Sequence, residues 1–579
     1  MMDKNSEKKI CQNCKKEFIL DSSDQIFFEK FKVPSPNFCY PCRLQQRMYF
    51  RNQNKLYHRN NDAPDSDNNK IISIYSQDKK IKVYERDAWW GDSWDARDYG
   101  MNVDFSKPFF EQLKELIEKV PWPSLMNWNA VNSDYCNCTS NNKNCYLVFG
   151  GDFNEDCSYS TFNFHSRDSQ DLYFVLKCDI CYECIDCQNC YKLIFSQNCS
   201  NCLDSYFLYD CINCESCIGC TGLRNKQYNI LNKQYSREEY LKLISEMKLN
   251  TRNGLKNFAK KFEQVKLSFP NKYAHIIKSV NCTGDNITGG RNCFYCFDIE
   301  SDCEDLRYAY LVGSGMKDGY SFSHAGHGSE LIYESFGVFS GARNVLFSIY
   351  SPSSQDIVYA YNCPSSSNLF GCVGMKKGSY SILNKQYSKE EYLVLVEKIK
   401  KHMDDMPYVD KKGRVFKFGD FWPYDLSYFS YNESIAQEIF PLTKTEANEK
   451  GFNWREQEAR NYTPTIEAVD IPNSSEDILE NITKEVFECY HSGKNCDHDC
   501  TTAFKMIPNE INLYKRLNLP LPTKCPNCRH YERLIKRNPL KLWHRKCMKK
   551  GCKNEFETSY APERPEIVYC EKCYQQEVY

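Results

Sequence analysis

Eleven cysteines between Cys178 and Cys220 fall on one three-residue register, and this register limits what the chain can fold into. A longer spacing of 21 residues links Cys136, Cys157, Cys178, Cys199 and Cys220. Self-similarity at a fixed period is typical of repeat architectures, in which each unit buries its apolar face against its neighbours. The sequence therefore predicts a cysteine-lined solenoid.

Composition and termini indicate the compartment. The chain has 579 residues, 34 cysteines and a formal net charge of -1, so several domains are expected. Its charged start runs into Cys11 without the apolar core of a signal peptide, and no apolar run approaches the roughly 18–20 residues of a membrane span. In a reducing compartment CxxC pairs bind metal more often than they form disulfides. We expect a cytoplasmic metalloprotein with no membrane partner.

Two CxxC pairs near the N-terminus predict a structural zinc site. Cys11 and Cys14 form the first pair, and Cys39 and Cys42 form the second. Zinc prefers four thiolates in a tetrahedron, and each CxxC turn supplies two of them. An iron site with the same ligands and a redox pair are the alternatives. Four cysteines leave no open coordination position, which argues against catalysis at this metal.

The N-terminal ribbon reappears at the C-terminus when the numbering is shifted by 486. Its first pair is widened there to Cys489-x6-Cys496-x3-Cys500, so one ligand is surplus, and we choose Cys496 and Cys500. A second C-terminal site follows, whose N-terminal counterpart has Glu85 and Ala88 in place of two cysteines. About three zinc ions are predicted. The predicted ligands are Cys11, Cys14, Cys39 and Cys42; Cys496, Cys500, Cys525 and Cys528; and Cys547, Cys552, Cys570 and Cys573.

Short runs of β-branched and aromatic residues follow Asn or Asp at regular intervals, first from Asn144 and again from Asn292 with a spacing of 12–14 residues. Such strands suit a sandwich, barrel or propeller as readily as a β-helix, and the three-residue cysteine register favours the β-helix. The phrase LNKQYS closes both halves and opens a helix through a capping box, which would cover the end of each half.

The predicted fold is therefore mainly β: a two-part, cysteine-rich, parallel β-helix-like solenoid with capping helices, flanked by N- and C-terminal zinc ribbons. The predicted domains are a zinc ribbon (1–60), a degenerate second ribbon and connector (61–127), the first solenoid half (128–235), a helical cap (236–278), the second half (279–387), a capping helix with an aromatic-rich connector (388–480), and a double zinc ribbon (481–579).

The repeat cysteines allow three interpretations: packing, a metal or iron–sulfur site, and disulfides. Free cysteine behaves as a small buried hydrophobe. The second half has Ser366 and Leu369 where the first has Cys214 and Cys217, so a ligand role cannot be general. This comparison favours packing.

Several phrases together resemble a known protein family. They are VPSPNFCYPCR, NKNCYLVFG, CYECIDCQNC, the duplicated LNKQYSKEEY-like phrase, LPLPTKCPNCRHYERLIKRNPLKLWHRKC and ERPEIVYCEKCY. Over essentially its full length the chain resembles uncharacterised zinc-ribbon proteins of genome-reduced bacteria. The first ribbon also resembles a widespread probable zinc-binding domain. The resemblance implies this architecture and no established activity, and the widened Cys489–Cys500 segment departs from the pattern.

The C-terminal ribbon is strongly basic from Lys524 to Lys553, with Tyr531 and Trp543 interleaved. Basic charge with aromatic side chains is typical of phosphate-backbone binding, so the leading hypothesis is a non-catalytic scaffold that binds structured RNA or the ribosome. The predicted contact residues are Arg529, Arg533, Lys536, Arg537, Lys541, Trp543 and Arg545. The alternatives are a merely soluble basic domain that could dock on the chain's own acidic connectors, a protein-interaction scaffold, a β-helix carbohydrate-active enzyme and iron–sulfur chemistry. No spacing pairs a nucleophile with a base, so no catalytic residue is predicted.

Overall fold

The computed structural model describes residues 6–64, 66–67, 69–456, 462–478, 481–494, 496 and 499–578. The first five residues, which enter the expectation about an export signal, lie outside this set. The described chain is mainly strands with some helices, and cysteine clusters lie near both ends. The helices of four or more residues are Ser22–Phe31, Tyr40–Tyr49, Arg86–Trp90, Phe109–Lys119, Arg237–Met247, Arg252–Ser268, Lys389–Asp405, Ala436–Ile439, Lys444–Glu449, Pro508–Leu517, Pro526–Leu534 and Glu571–Val578, with a 3-10 helix at Ala96–Tyr99.

The strands form antiparallel hairpins near both ends of the chain and parallel ladders between them. The main terminal hairpins pair Glu7–Ile10 with Glu17–Leu20, Tyr57–Asn60 with Lys70–Ser73, Phe487–Glu488 with Ala503–Phe504, and Trp543–Lys546 with Glu555–Thr558. The domain boundaries given above remain predictions.

Residues 127–230, here called the first ladder, are joined by parallel bridges between residues 12 apart. Its longer strands are Thr161–Phe164, Tyr173–Leu176, Tyr191–Ile194 and Leu203–Tyr206. Along much of it, every third residue has left-handed backbone, with φ of 56° at Ile180, 53° at Glu183 and 51° at Asp186. One structural repeat is thus 12 residues long and consists of four three-residue steps. The 21-residue cysteine spacing noted in the sequence is seven such steps and is not the repeat.

The cysteine register follows directly from these bends. Cys181, Cys184 and Cys187 each come one residue after a left-handed residue and are buried, with at most 1% of the side chain exposed. Together with Leu172, Val175, Leu193 and Leu208, the cysteines from Cys178 to Cys220 form one apolar cluster. A small polarizable side chain fits this position because little space is left when the backbone bends every three residues.

Residues 276–382, here called the second ladder, form a parallel sheet whose partners are 11 to 13 residues apart. Its interior is filled by larger residues such as Leu306, Ile332 and Val345, all fully buried. Its strands are Ile276–Ile277, Gly284–Thr288, Arg291–Phe294, Cys296–Ile299, Glu304–Val312, Lys317–Ala325, Glu330–Tyr333, Phe336–Val338, Arg343–Leu346, Gln355–Val358, Ser367–Phe370 and Ser379–Ile382.

The duplicated LNKQYS phrase ends both ladders in the same way. The chain turns back as a short antiparallel strand, Lys233–Gln234 in the first ladder and Lys385–Gln386 in the second. The side chain of Asn384 bonds both the N–H and the carbonyl of Val373 at 2.8 Å, as Asn232 does for Thr221. The predicted capping boxes then open the helices Arg237–Met247 and Lys389–Asp405. The phrase therefore satisfies the last open edge of each ladder.

Candidate metal centres

Three groups of four cysteines have sulfur atoms within 4.8 Å of one another. The groups are Cys11, Cys14, Cys39 and Cys42; Cys489, Cys500, Cys525 and Cys528; and Cys547, Cys552, Cys570 and Cys573. Four thiolates at about 2.3 Å from zinc in a tetrahedron have sulfurs about 3.8 Å apart. The Sγ–Sγ distances include 3.7 Å for Cys14 and Cys39, 3.9 Å for Cys489 and Cys528, and 3.9 Å for Cys552 and Cys570. The three groups could hold metal ions, and their geometry fits zinc.

The three groups share one backbone hydrogen bond. In each, the amide N–H of the third cysteine donates to the sulfur of the first at 3.3 Å: Cys39 to Cys11, Cys525 to Cys489, and Cys570 to Cys547. In all three groups this third cysteine also directly precedes a helix, Tyr40–Tyr49, Pro526–Leu534 or Glu571–Val578. A helix N-terminus and an amide donor both favour the thiolate that a metal requires.

The electrostatics of the groups agree with a thiolate state. Hydrogen bonds from Cys39 and Cys42 lower the pKa of the Cys11 thiol, and hydrogen bonds from Cys489 and Cys528 do the same for Cys525. In the third group burial raises the pKa of Cys570, but hydrogen bonds led by that from Asn554 bring it down to about 7. In each group one thiol therefore has a pKa below its ordinary value, which is the direction that metal binding demands.

The second group contains Cys489 where the sequence-based choice was Cys496. Cys489 is fully buried and occupies the position that Cys11 has in the first group, since both accept the shared amide hydrogen bond. Cys496 lies 3.6 Å from the sulfur of Cys528, in an overlapping group with His491. Sequence spacing alone could not distinguish them, because both precede Cys500 and neither forms a CxxC pair with it.

The N-terminal copy of the second C-terminal site has an ion pair in place of a metal. Asp62 stands at the position of Cys547 when the numbering is shifted by 485. Its carboxylate pairs with the buried Arg59 at 2.7 Å and accepts a hydrogen bond from the N–H of Val83 at 2.8 Å. Within the described residues no fourth cysteine group forms. The hydrogen bond between Asp62 and Val83 connects the segments that zinc would connect in the other copy.

The ladder cysteines are placed as packing residues. The sulfur of Cys187 lies 3.3 Å from the carbonyl oxygen of Ile185 and 3.7 Å from that of Ser196 in the next repeat. Burial raises the pKa of this thiol well above its ordinary value. In the described part of the chain no ladder cysteine belongs to a candidate metal group, and none of the 34 cysteines forms a disulfide. These contacts favour the packing interpretation.

Two of the predicted nucleic-acid contacts, Arg529 and Arg533, face the interior. Arg529 is 3% exposed and lies 3.3 Å from Asp171 and 3.1 Å from Glu510. Arg533 is fully buried and lies 2.8 Å from both Asp171 and Glu183. The four-residue spacing does place them on one helix face, but that face packs on the first ladder. The expectation that they form an exposed phosphate-binding surface is therefore corrected.

Arg537 continues the same internal row and contacts both ladders. Its guanidinium lies 2.9 Å from Asp186 in the first ladder and also pairs with Asp298 in the second. It lies 3.7 Å from the centre of the Phe174 ring, within the range of a cation–π contact. Burial raises the pKa of Asp186 to about 6, although Arg537 lowers it. Arg537 is thus also occupied within the chain.

The other four predicted contacts lie at or near the surface. Lys536 and Lys541 are exposed, while Trp543 and Arg545 are half-buried. The ammonium of Lys541 lies 4.7 Å from the centre of the Trp543 ring. Arg545 donates to the carbonyl oxygens of Tyr560 and Ala561 at 3.4 and 3.3 Å. This part of the predicted surface remains accessible.

The N-terminal ribbon uses the corresponding arginines in the same way. Arg43 and Arg47, which match Arg529 and Arg533 under the shift of 486, are buried on the N-terminal ribbon helix, and both pair with Glu334 of the second ladder. Each ribbon helix thus docks on a ladder through two buried arginines. Their equivalence to Arg529 and Arg533 under this shift is the signal in the sequence for a shared role.

The two ribbons dock in a crossed arrangement. The C-terminal ribbon helix contacts the first ladder, while Val568–Tyr569 of that ribbon pairs in parallel with Asn271–Lys272, which precedes the second ladder. The N-terminal ribbon helix contacts the second ladder, while Val83–Tyr84 pairs in parallel with Trp122–Pro123, which precedes the first. Each ribbon therefore connects both ladders.

The fold and its cysteine groups define a mainly β chain with cysteine clusters that are compatible with zinc-ribbon-like sites, but comparison with known proteins does not add a family. No family model matches the chain, and no curated protein matches it. Among solved structures, a proposed acetyltransferase from Desulfovibrio desulfuricans G20 is similar over 50% of this chain and 86% of its own, at 9% identity and a TM-score of 0.09. A likeness of this size carries no argument. Among the described helices, none combines the length and apolar character needed to cross a membrane.

Proposed function

We propose that this chain is a non-catalytic, zinc-stabilised scaffold for a protein partner, in which the two ladders are the two halves of one β-solenoid. The observation that carries the proposal is the internal use of the ribbon arginines. Arg43, Arg47, Arg529 and Arg533 are buried in ion pairs with ladder acids, so the two ribbon helices serve assembly of the chain itself.

The solenoid part of the proposal is supported by the bridge pattern. Parallel partners one repeat apart along more than eight successive repeats bring equivalent side chains into columns, as stacked coils do. The exposed Asn132 and Asn144, and likewise Asn201 and Asn213, bond each other across one repeat at 3.1 Å. Antiparallel strands and capped helices close each ladder, which suits an architecture whose ends would otherwise be open.

An outer column of the first ladder offers a surface suited to a protein. Every twelfth residue from Val131 to Gln227 lies on it. Basic and acidic side chains alternate along part of this column and form ion pairs, as between Lys143 and Glu155 at 2.6 Å. They are followed by the exposed neighbours Tyr191 and Leu203, which are 45% and 40% exposed. An apolar centre beside mixed charges is typical of protein interfaces rather than of phosphate-binding surfaces.

The non-catalytic part is tested with cobalt in place of zinc. Four sulfurs close the coordination shell, so azide or imidazole should leave the visible absorption of the cobalt-loaded chain unchanged. A site with an open position would bind the added ligand and change its spectrum. A spectral change that saturates with azide would contradict the closed-site interpretation.

Nucleic-acid binding is the alternative, and the accessible remainder of the basic segment allows a direct test. We expect the full-length, zinc-loaded chain to show no salt-dependent retention on mixed-sequence RNA at low ionic strength. If RNA is retained, Lys541→Glu and Lys550→Glu should each reduce the slope of log affinity against log salt by about 0.7–0.9 under the nucleic-acid hypothesis. That outcome would replace the protein-scaffold proposal.

A further inference from the structure

A cavity of about 430 Å³ lies between the first ladder and the helix Arg252–Ser268. A segment of the C-terminal ribbon closes one side, where the backbone carbonyl of Lys536 accepts a hydrogen bond from Gln197 at 3.2 Å. This volume lies within the range of small-molecule sites, which is roughly 300–1,000 Å³. Neither the candidate metal groups nor the buried arginine row of the ribbon helices contributes a lining residue.

One part of the cavity wall is aromatic and apolar. Phe195 and Phe207 stack with ring centres 4.9 Å apart, and Phe262 of the helix lies 5.9 Å from Phe207. Leu208 and Ala259 complete this wall. Flat rings presented by a ladder and a helix provide the contact surface that a planar or alkyl ligand body needs.

The remaining lining residues carry an excess of positive charge. Four basic side chains, Arg252, Lys256, Lys266 and Lys536, line the cavity together with two acids. The acids already have cation partners, since Glu183 lies 2.8 Å from Arg533 and Glu263 lies 3.9 Å from Lys266.

The guanidinium of Arg252 donates to the backbone carbonyls of Ile471, Pro472 and Leu521 at 2.9 to 3.3 Å. This cation is therefore held by neutral acceptors next to an apolar wall. Lys266 lies 4.7 Å from the centre of the Tyr209 ring. Positive charge beside stacked rings in a partly enclosed space attracts an anion with an apolar body.

We propose that this cavity, here called the ladder–helix cavity, binds a small amphipathic anion, with an aromatic body against Phe195, Phe207 and Phe262 and its acidic group toward Lys256 and Lys536. The site is separate from the three metal groups and does not depend on the scaffold function proposed above.

The test uses two fluorescent probes with the same ring system on the full-length, zinc-loaded chain. One is the anion 8-anilinonaphthalene-1-sulfonate, and the other is neutral N-phenyl-1-naphthylamine. We expect saturable binding of the anion at one site per chain. The double variant Lys256→Glu, Lys536→Glu should weaken anion binding by about tenfold or more while leaving the neutral probe within about twofold, because only the anion interacts with the two charges.

A matched control makes the same change in net charge with two lysines of the helix that carries Lys256. Lys260 and Lys261 are exposed on Arg252–Ser268 but do not line the cavity. Lys260→Glu, Lys261→Glu should leave anion binding unchanged, with zinc content and melting temperature equal in all three proteins. Equal weakening by the control, or a double variant that binds the anion as well as the wild type, would overturn the proposal. Ala259→Phe, which places a large ring in the apolar wall of the cavity, should weaken binding of both probes, and unchanged binding of both would also overturn the proposal.

Discussion

Glu334→Gln is expected to destabilise the folded chain by about 3–5 kcal/mol, because it removes the carboxylate that neutralises two buried arginines. Glu334 is 1% exposed, and its two oxygens pair with Arg43 and Arg47, which are 3% and 0% exposed. Glutamine preserves the shape but loses the charge, so both guanidinium groups would remain buried without compensation. The loss should appear as a lower midpoint of urea unfolding of the zinc-loaded chain.

The matched control is Glu330→Gln, four residues earlier in the same ladder. Glu330 pairs with Arg343 at 2.7 Å, but the two side chains are 40% and 63% exposed. An exposed pair of this kind contributes up to about 1 kcal/mol, so the control should unfold close to the wild type. Similar losses in the two variants would show that docking of the ribbon helix does not depend on the buried charges.

Cys489→Ser is expected to remove one of three zinc ions and to unfold the C-terminal ribbon. Structural zinc contributes an apparent binding free energy of about 10–16 kcal/mol, and this energy also stabilises the module that holds it. Loss of the ribbon would leave Asp171, which is fully buried, without the arginines of the C-terminal ribbon helix. We therefore expect the first ladder also to melt at a lower temperature, as measured by metal analysis and thermal unfolding.

Cys496→Ser is the matched control for this prediction. It makes the same substitution seven residues further along the same segment, at a cysteine outside the group of four. The variant should retain three zinc ions and melt like the wild type. The reverse result, with zinc lost from Cys496→Ser and kept in Cys489→Ser, would restore the ligand set chosen from the sequence.

The spacing of residues in the sequence was sufficient to predict the features that form within a few residues of the chain. A CxxC pair indicates two thiols that one tight turn brings together. Such pairs contribute to the three groups of four cysteines in the structure. The phrases beginning at Ser236 and Ser388 predict capping boxes because an N-cap side chain reaches only the next turn of its own helix. The three-residue cysteine register likewise reflects a backbone that bends at every third residue.

Features that depend on distant partners were decided by the tertiary structure. Arginines at four-residue spacing indicate one helix face, but whether that face meets phosphate, water or a buried acid depends on what packs against it. Asp171 lies more than 350 residues from Arg529 in sequence, and Glu334 lies 291 residues from Arg43. The choice between Cys489 and Cys496 depends in the same way on which of the two thiols lies against Cys525 and Cys528 in the folded chain.

The sequence by itself therefore determined which side chains are available, where the backbone bends at every third residue and which thiols are paired. These features depend on residues within about one turn of each other. The tertiary structure alone decided which ribbon meets which ladder, which charges are neutralised and where the ladder–helix cavity forms. The physical reason is that burial makes an ion pair or a cavity significant, and burial is a property of surfaces brought together from remote parts of the chain.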